Sequence, residues 1–398
     1  MSPKCSLRKK AYHVYELCST GEGISWIYAH TSRWAFYFMK SSGQRTIPKV
    51  LYKRKKPMKK LLTVVVPAYN AQGYIQKTLD SLCGESTRNE LEVIVVDDGS
   101  TDQTGAIADQ YQVRFPDTVV VIHKANGGHG SGVNCGIRHA TGAYFKIVDA
   151  DDWVDKTAFQ NLMAFLRKTD DDAVVSGFYW AYDDGSGHEE AFWRKAEILE
   201  PFDGVEYKRS YRFDEIAEKI YIKMHGFTIK TSILKENGIH LDEHCFYVDT
   251  EFILYPIPYI QTISFLQDFV YFYRIGRQGQ SISPQQMARS KGDYDRVLQA
   301  LLHFYQGCKA DSHCTLAKQQ YIASVIARIV AGKIKVLLSF PINARQRRDL
   351  IAFDHLLKTN YPEVYKANQN QAVRLLRFSR YYLYPAAAAA LRMKHRRS

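Results

Sequence analysis

The sequence predicts an α/β fold, a doubly wound sheet followed by a C-terminal helical region. Three observations carry that prediction. Short Val/Ile-rich runs alternate with amphipathic stretches from residue 61 to residue 180. Two of these runs end abruptly in carboxylates, LEVIVVDDGSTD (91–102) and AYFKIVDADDWVD (143–155). Residues 288–380 show helical periodicity with no strand signal between the helices.

In order, a strand is expected at 61–67 and a helix at 71–83, then a strand at 91–97 and a helix at 101–115. A strand at 118–123 with a helix at 130–140 follows, then a strand at 143–149 with a helix at 156–167, and a last strand at 173–180. The Val/Ile runs are nearly continuous, which suits strands covered on both faces. Residues 181–287 are mixed and aromatic, and contain FYVDTEF (246–252). Three or four amphipathic helices are expected over 288–380, the last at 363–380, before the tail YYLYPAAAAALRMKHRRS (381–398). The expected domains are a basic extension at 1–57, a catalytic domain at 58–287 and a basic helical region at 288–398. Met58-Lys59-Lys60 leads straight into the first strand and reads as a natural start.

Composition supports a globular chain, with 46% hydrophobic and 24% charged residues. The seven cysteines form no CxxC pair, which argues for reduced thiols. A secretory leader pattern is not seen, nor is a run of about 20 apolar residues of the kind that spans a bilayer. The best such stretch, 321–340, carries Arg328, Lys333 and Lys335 and reads as amphipathic. Charge is uneven: residues 1–60 hold 14 Lys/Arg against 2 Asp/Glu, 61–287 hold 20 against 33, and 288–398 hold 20 against 6. The basic flanks suit an anionic surface, and a merely solvated basic face is the competing reading.

Ligands in open α/β sheets bind at the carboxyl ends of strands. Asp97, Asp98, Asp149, Asp151 and Asp152 would crowd that rim. Packed like charges are costly unless compensated. A divalent cation with a phosphate-bearing ligand is a fitting compensation, so the rim points to a nucleotide or phosphate substrate.

Five segments together resemble glycosyltransferase family 2, the GT-A-fold group of nucleotide-sugar transferases. They are VVVPAYNA (64–71), VVDDGSTD (95–102), NGGHGSGVNCGIRHATG (126–142), DADDW (149–153) and YVDTEF (247–252), in family order and spacing. The resemblance covers 61–287. It implies a GT-A doubly wound mixed sheet, and lies nearest bacterial enzymes of capsule, exopolysaccharide or wall-glycan synthesis.

By that resemblance, Pro67, Ala68, Tyr69 and Asn70 lie against the nucleotide, and Asp98 bonds base or ribose. Asn70 as a helix cap, and Ser100 or Asp102 capping the next helix, are the structural alternatives. The Gly-rich stretch from Asn126 lets backbone approach a ligand; His129 within it reads first as a surface residue. Asp149-Ala150-Asp151 is the DxD element. Extended alternation would put Asp149 and Asp151 on one side, where Mn²⁺ or Mg²⁺ suits carboxylate oxygens. Asp151 is the expected metal ligand, with Asp149 on metal or ribose; the structural alternative is an acidic helix cap involving Asp152 and Asp155. Asp249 is the general base the resemblance implies, with Glu251 as rival, and Val248 stands where the family often has Glu. Arg274 and Arg277 are candidates for the diphosphate and His225 for the acceptor site.

The implied reaction is inverting, metal-dependent transfer from a UDP-hexose-type donor to a hydroxyl of a glycan or lipid-linked glycan. The absence of a QxxRW signature after Asp249 implies a single addition. The expected location is the cytoplasm, with the C-terminal region as the element that would hold the chain on the inner membrane face. No nucleic-acid partner is expected. The rival readings are a sugar nucleotidyltransferase, for which PAYNA lacks a Gly-rich basic loop, and a non-catalytic basic scaffold or nucleic-acid binder.

Overall fold

The computed structural model describes residues 28–29, 33–34, 60–85, 87, 89–183, 193–196, 204–276, 290–339 and 344–395. The chain divides into two compact units, Met1–Lys56 and Pro57–Ser398. In the first, β1 (Tyr28–Ala29) pairs antiparallel with β2 (Arg33–Trp34). The rest of the basic extension, Met58 and Arg277 lie outside the described residues.

The second unit begins with the expected alternation. Strand β3 (Leu62–Ala68) leads to α1 (Ile75–Leu82), β4 (Leu91–Asp97) to α2 (Thr104–Arg114), and β5 (Val119–His123) to α3 (His129–His139). These strands and β6 (Tyr144–Ile147) run parallel in the order β5-β4-β3-β6. Side chains alternate across β3: Val65 enters one core, while Leu62, Val64 and Val66 enter the other. Both faces are therefore dry, which is why the run contains no polar alternation. Helix α3 covers one face, while α1, α2 and α4 (Lys156–Leu166) cover the other.

Beyond β6 the sheet turns mixed. Strand β11 (Phe227–Lys230) inserts antiparallel between β6 and β8 (Ala173–Tyr182). Strand β12 (Thr262–Ile275) then runs parallel to β8, with register shifts between Phe265 and Tyr271. Three short antiparallel strands complete the ten: β10 (Ser210–Arg212) and β7 (Trp153–Val154) on β12, and β9 (Trp193–Ala196) on β8.

The C-terminal region is helical, as expected, but divided differently. It comprises α8 (Lys291–Cys308), α9 (Leu316–Ser339), α10 (Ala344–Asn360), α11 (Pro362–Ala367), α12 (Gln371–Phe378) and α13 (Tyr384–His395). The single helix expected at 363–380 is broken at Asn368–Asn370. There the Asn370 side chain accepts from Val373 N and starts a new helix. The tail folds as α13 because its Ala run has high helix propensity. These helices share the larger core with the sheet: Leu301, Tyr321 and Ile326 are buried beside Phe213 of the short α5 (Phe213–Ile216), Ile222 and Phe252. Among the described residues, no helix is long and apolar enough to cross a membrane.

Candidate active site

The site assembles at the carboxyl ends of β3, β4 and β6. Pro67 and Ala68 close β3 and are buried, and Tyr69 stands out at 54% exposure. Asn70 adopts φ 47° and clips two loops together: its N–H donates to Ser100 Oγ at 3.0 Å, and its Oδ1 accepts from Thr101 N at 2.9 Å. It caps no helix, since α1 starts after Tyr74. Ahead of α2, Asp102 accepts from Thr104 N, the first helical residue, at 2.9 Å, while the N-cap Gln103 makes no side-chain cap bond.

Asp97 and Asp98 diverge. Asp97 accepts from Ser100 N at 3.0 Å and lies 2.8 Å from His123 Nδ1, a partner that raises the His123 pKa. Asp98 is buried and accepts from Gly127 N (2.9 Å) and Gly128 N (2.7 Å), with Lys124 Nζ alongside. Asn126, exposed, donates its amide to the Asp98 carbonyl at 2.9 Å. Asp98 is thus the anchor of the Gly-rich loop. Gly128 needs its residue type: φ is 83°, and an added Cβ would lie 3.3 Å from His244 backbone.

That loop docks the segment carrying Asp249. His244 N donates to Gly127 O at 2.5 Å, and the Asn134 side chain pairs both ways with Leu241 backbone at 2.9 Å. Tyr247, at φ 69°, turns the chain into α7 (Asp249–Leu254). A non-Gly residue there stores about 1–3 kcal/mol of strain, held in place by the surrounding packing.

The DADDW segment is a turn rather than an extended strand: Asp152 N donates to Asp149 O at 3.0 Å. The turn brings Asp149 beside Asp152, and the Asp151 charge acts on both Asp152 and His129. Helix α1 supports the turn through Thr78 Oγ1, which donates to the carbonyls of Ala150 (2.9 Å) and Asp152 (2.6 Å). Asp152 is buried, accepting from Tyr271 OH at 2.5 Å and Arg274 N at 2.8 Å. Burial first, then Asp151 and Asp149, push its pKa well up. It caps no helix; Asp155 does, accepting from Ala158 N at 2.8 Å. The Asp151 carbonyl accepts from Arg274 Nε at 2.9 Å. Arg274 is itself buried and bridged to Asp183 at 2.9 Å, so it braces the turn.

His129 is not a detached surface residue. Its Nε2 lies 2.9 Å from Asp149 Oδ1. Burial disfavours its charge, but Asp149, then Asp249 and Asp151, outweigh that, and the net shift is upward. Asp249 is exposed; desolvation by the surrounding protein raises its pKa against the opposing charge of His129. The three residues thus share one electrostatic site. Glu251 points elsewhere: it is fully buried, accepts from Asp242 N at 2.8 Å, and burial pushes it up to about 7.

Asp149, Asp152 and His225 offer ligand atoms within 4.8 Å of one another, a set that can hold a metal ion. His225 packs among Phe178, Tyr271 and Tyr273, and its Nδ1 has no hydrogen-bond partner among the described residues. Burial keeps it neutral, with a pKa down to about 3, as metal ligation requires. Below it, the buried Lys146 donates to His225 O at 2.6 Å. Sequence reasoning counted Asp152 on the acidic rim but not as a metal ligand, gave His225 to the acceptor side rather than to the acidic cluster, and missed Lys146 altogether. Lys146 did leave a signal, a charge inside an apolar strand run.

The profile of Glycosyl transferase family 2 matches residues 63–237, which span β3 to just past α6 (Thr231–Glu236). Those residues form a family 2 glycosyltransferase domain. The chain is 27% identical to the glycosyltransferase EpsJ of Bacillus subtilis over 74% of this chain and 88% of that one. It is 28% identical to TarS of Staphylococcus aureus, a poly(ribitol-phosphate) β-N-acetylglucosaminyltransferase, over 56% of this chain and 36% of that one. It is 37% identical to GlyG of Streptococcus pneumoniae, but spans only 43% of that glycosyltransferase. In three dimensions it resembles the crystal structure of TarS residues 1–349 in complex with UDP-GlcNAc. The TM-score is 0.59 at 20% identity, covering 85% of this chain and 92% of that one. That likeness establishes a GT-A-like fold with a helical C-terminal region. The family 2 match ends before Asp249, so the base candidate rests on the geometry above.

Proposed function

We propose that this glycosyltransferase moves one sugar from a UDP-hexose-type donor to a hydroxyl of a glycan or lipid-linked glycan, with inversion at the anomeric carbon. The observation that carries the proposal is His129, held 2.9 Å from Asp149 Oδ1 and within the field of Asp249 at the carboxyl ends of the strands.

Pro67, Ala68, Tyr69 and Asn70 line the nucleotide side, with Asp98 and Asn126 holding the Gly-rich loop against it. Asp249 takes the proton from the acceptor hydroxyl. The freed oxygen forms the new bond to the anomeric carbon while the bond to the diphosphate breaks, its electron pair leaving with the nucleotide. A single base suffices for such a displacement. Asp149 and Asp151, with Asp152 and His225, are the residues that would hold Mn²⁺ or Mg²⁺. The carboxylate oxygens suit either cation, and the imidazole nitrogen beside them, without a partner among the described residues, fits Mn²⁺ better than Mg²⁺. When bound, the cation would neutralise the departing diphosphate. The relatives named for wall polymers support a cell-envelope acceptor, and the basic C-terminal region supports peripheral attachment to the inner membrane face.

The test is Asp249→Asn. Donor binding by calorimetry should stay within a few-fold of the parent, while kcat for transfer should fall about 10²–10⁴-fold. A variant within tenfold of the parent would move the base elsewhere.

A further inference from the structure

We propose that the turn between α12 and α13 is a bilayer-inserting element that docks the enzyme on anionic lipid; this rests on the peripheral attachment proposed above and names its surface. Four apolar side chains are exposed within nine residues: Leu375 (54%), Phe378 (89%), Tyr382 (78%) and Leu383 (40%). Scattered exposed apolar residues are ordinary, but a cluster of this kind marks an interaction surface.

The turn is built, not frayed. Arg380 and Tyr381 both adopt positive φ, at 46° and 63°. Tyr381 is buried, its N–H donates to Leu376 O at 2.8 Å, and its carbonyl accepts from Arg347 Nε at 3.2 Å. With Tyr381 fixed inward, its neighbour Tyr382 is held outward, with the Arg347 guanidinium over its ring. Behind the turn, α9, α12 and α13 enclose an apolar recess of about 620 Å³, which Leu375 and Leu383 help to line.

Charge selects the partner. Residues 288–398 carry 20 Lys/Arg against 6 Asp/Glu. The carboxylate that reaches α12, Asp354, is neutralised by Arg377 at 2.7 Å, and Asp295 and Glu363 also pair with lysines. Arg374 and Arg380 flank the aromatic pair and are exposed. Aromatic side chains at the tip with arginines beside them match a membrane interface, where rings enter the headgroup zone and cations meet lipid phosphate.

The experiment is co-sedimentation of the full chain with vesicles of phosphatidylcholine alone or mixed with phosphatidylglycerol. The parent should bind the mixed vesicles and not the neutral ones. Phe378→Ser with Tyr382→Ser should weaken binding by about tenfold or more, with circular dichroism and UDP-sugar binding unchanged. Arg374→Gln with Arg380→Gln should reduce the preference for anionic lipid. Parent-like binding by the aromatic double variant would overturn the inserted turn, while leaving electrostatic attachment standing. No vesicle binding by the parent would overturn both. A parent dimer dispersed by the aromatic variant, with no lipid effect, would make the face a self-interface and overturn the proposal. Loss of UDP-sugar binding in the parent would instead defeat the transferase reading alone.

Discussion

At Asp249 and Glu251, two carboxylates two residues apart meet opposite environments. Asp249 starts α7 facing His129 and Asp149; Glu251, on the next part of the turn, is buried against Asp242 backbone. YVDTEF contains both acids and does not say which one faces the cleft. The Glu251 pKa, raised by burial to about 7 from 4.5, has a stability consequence. The folded state keeps its proton where the unfolded chain has lost it. The contribution is therefore full below pH 4.5 and is lost as pH rises through 7. Glu251→Gln keeps an acceptor for Asp242 N and removes the titration. Its melting temperature should match or exceed the parent's by roughly 2 °C at pH 8, with a flatter profile between pH 5 and 7.5. Transfer should stay within a few-fold; a dead but stable variant would assign the base to Glu251.

Among elements, the parallel strands were the most legible. Leu62–Ala68 and Leu91–Asp97 are buried throughout, as continuous Val/Ile runs imply. Strand β11 was not foreseen, because FTIK is only four residues and gains its place from β6 and β8 on either side. The bulged β12 was hidden for a related reason: its register shifts interrupt any simple alternation. Helix α3 shows how tightly elements meet under the site. A Cβ on Gly136 would lie 2.4 Å from both methyl carbons of Val65 on β3. Gly136→Ala should therefore push α3 off the sheet and cost about 1–3 kcal/mol, measurable by urea denaturation. Because α3 begins at His129, donor affinity should weaken with it.

For the second compact unit as a whole, the C-terminal helices are part of one core rather than an appended domain. Lys318 on α9 is buried and donates to Pro258 O at 2.7 Å, and Tyr321 OH accepts from Ile222 N at 3.1 Å. The tyrosine reaches just ahead of the segment that carries His225. Tyr321→Phe leaves that buried N–H without its acceptor and should lower stability by about 1–3 kcal/mol, read as an earlier urea midpoint with unchanged slope. A loss of turnover larger than the loss of folded protein would show that the helices also set the His225 position.

The α/β class, the parallel strands and the acidic rim were readable from local patterns, apolar periodicity and carboxylates placed directly after a buried run, and the five ordered motifs carried the family resemblance. The folded chain alone brings Asp152 in beside Asp149, sets His129 against Asp149 within the field of Asp249, and adds His225 to the cluster. The physical reason is distance along the chain. Those meetings depend on the 241–248 segment docking on Gly127 and on β11 entering the sheet, and long-range packing of this kind leaves no periodic trace in the residues it brings together.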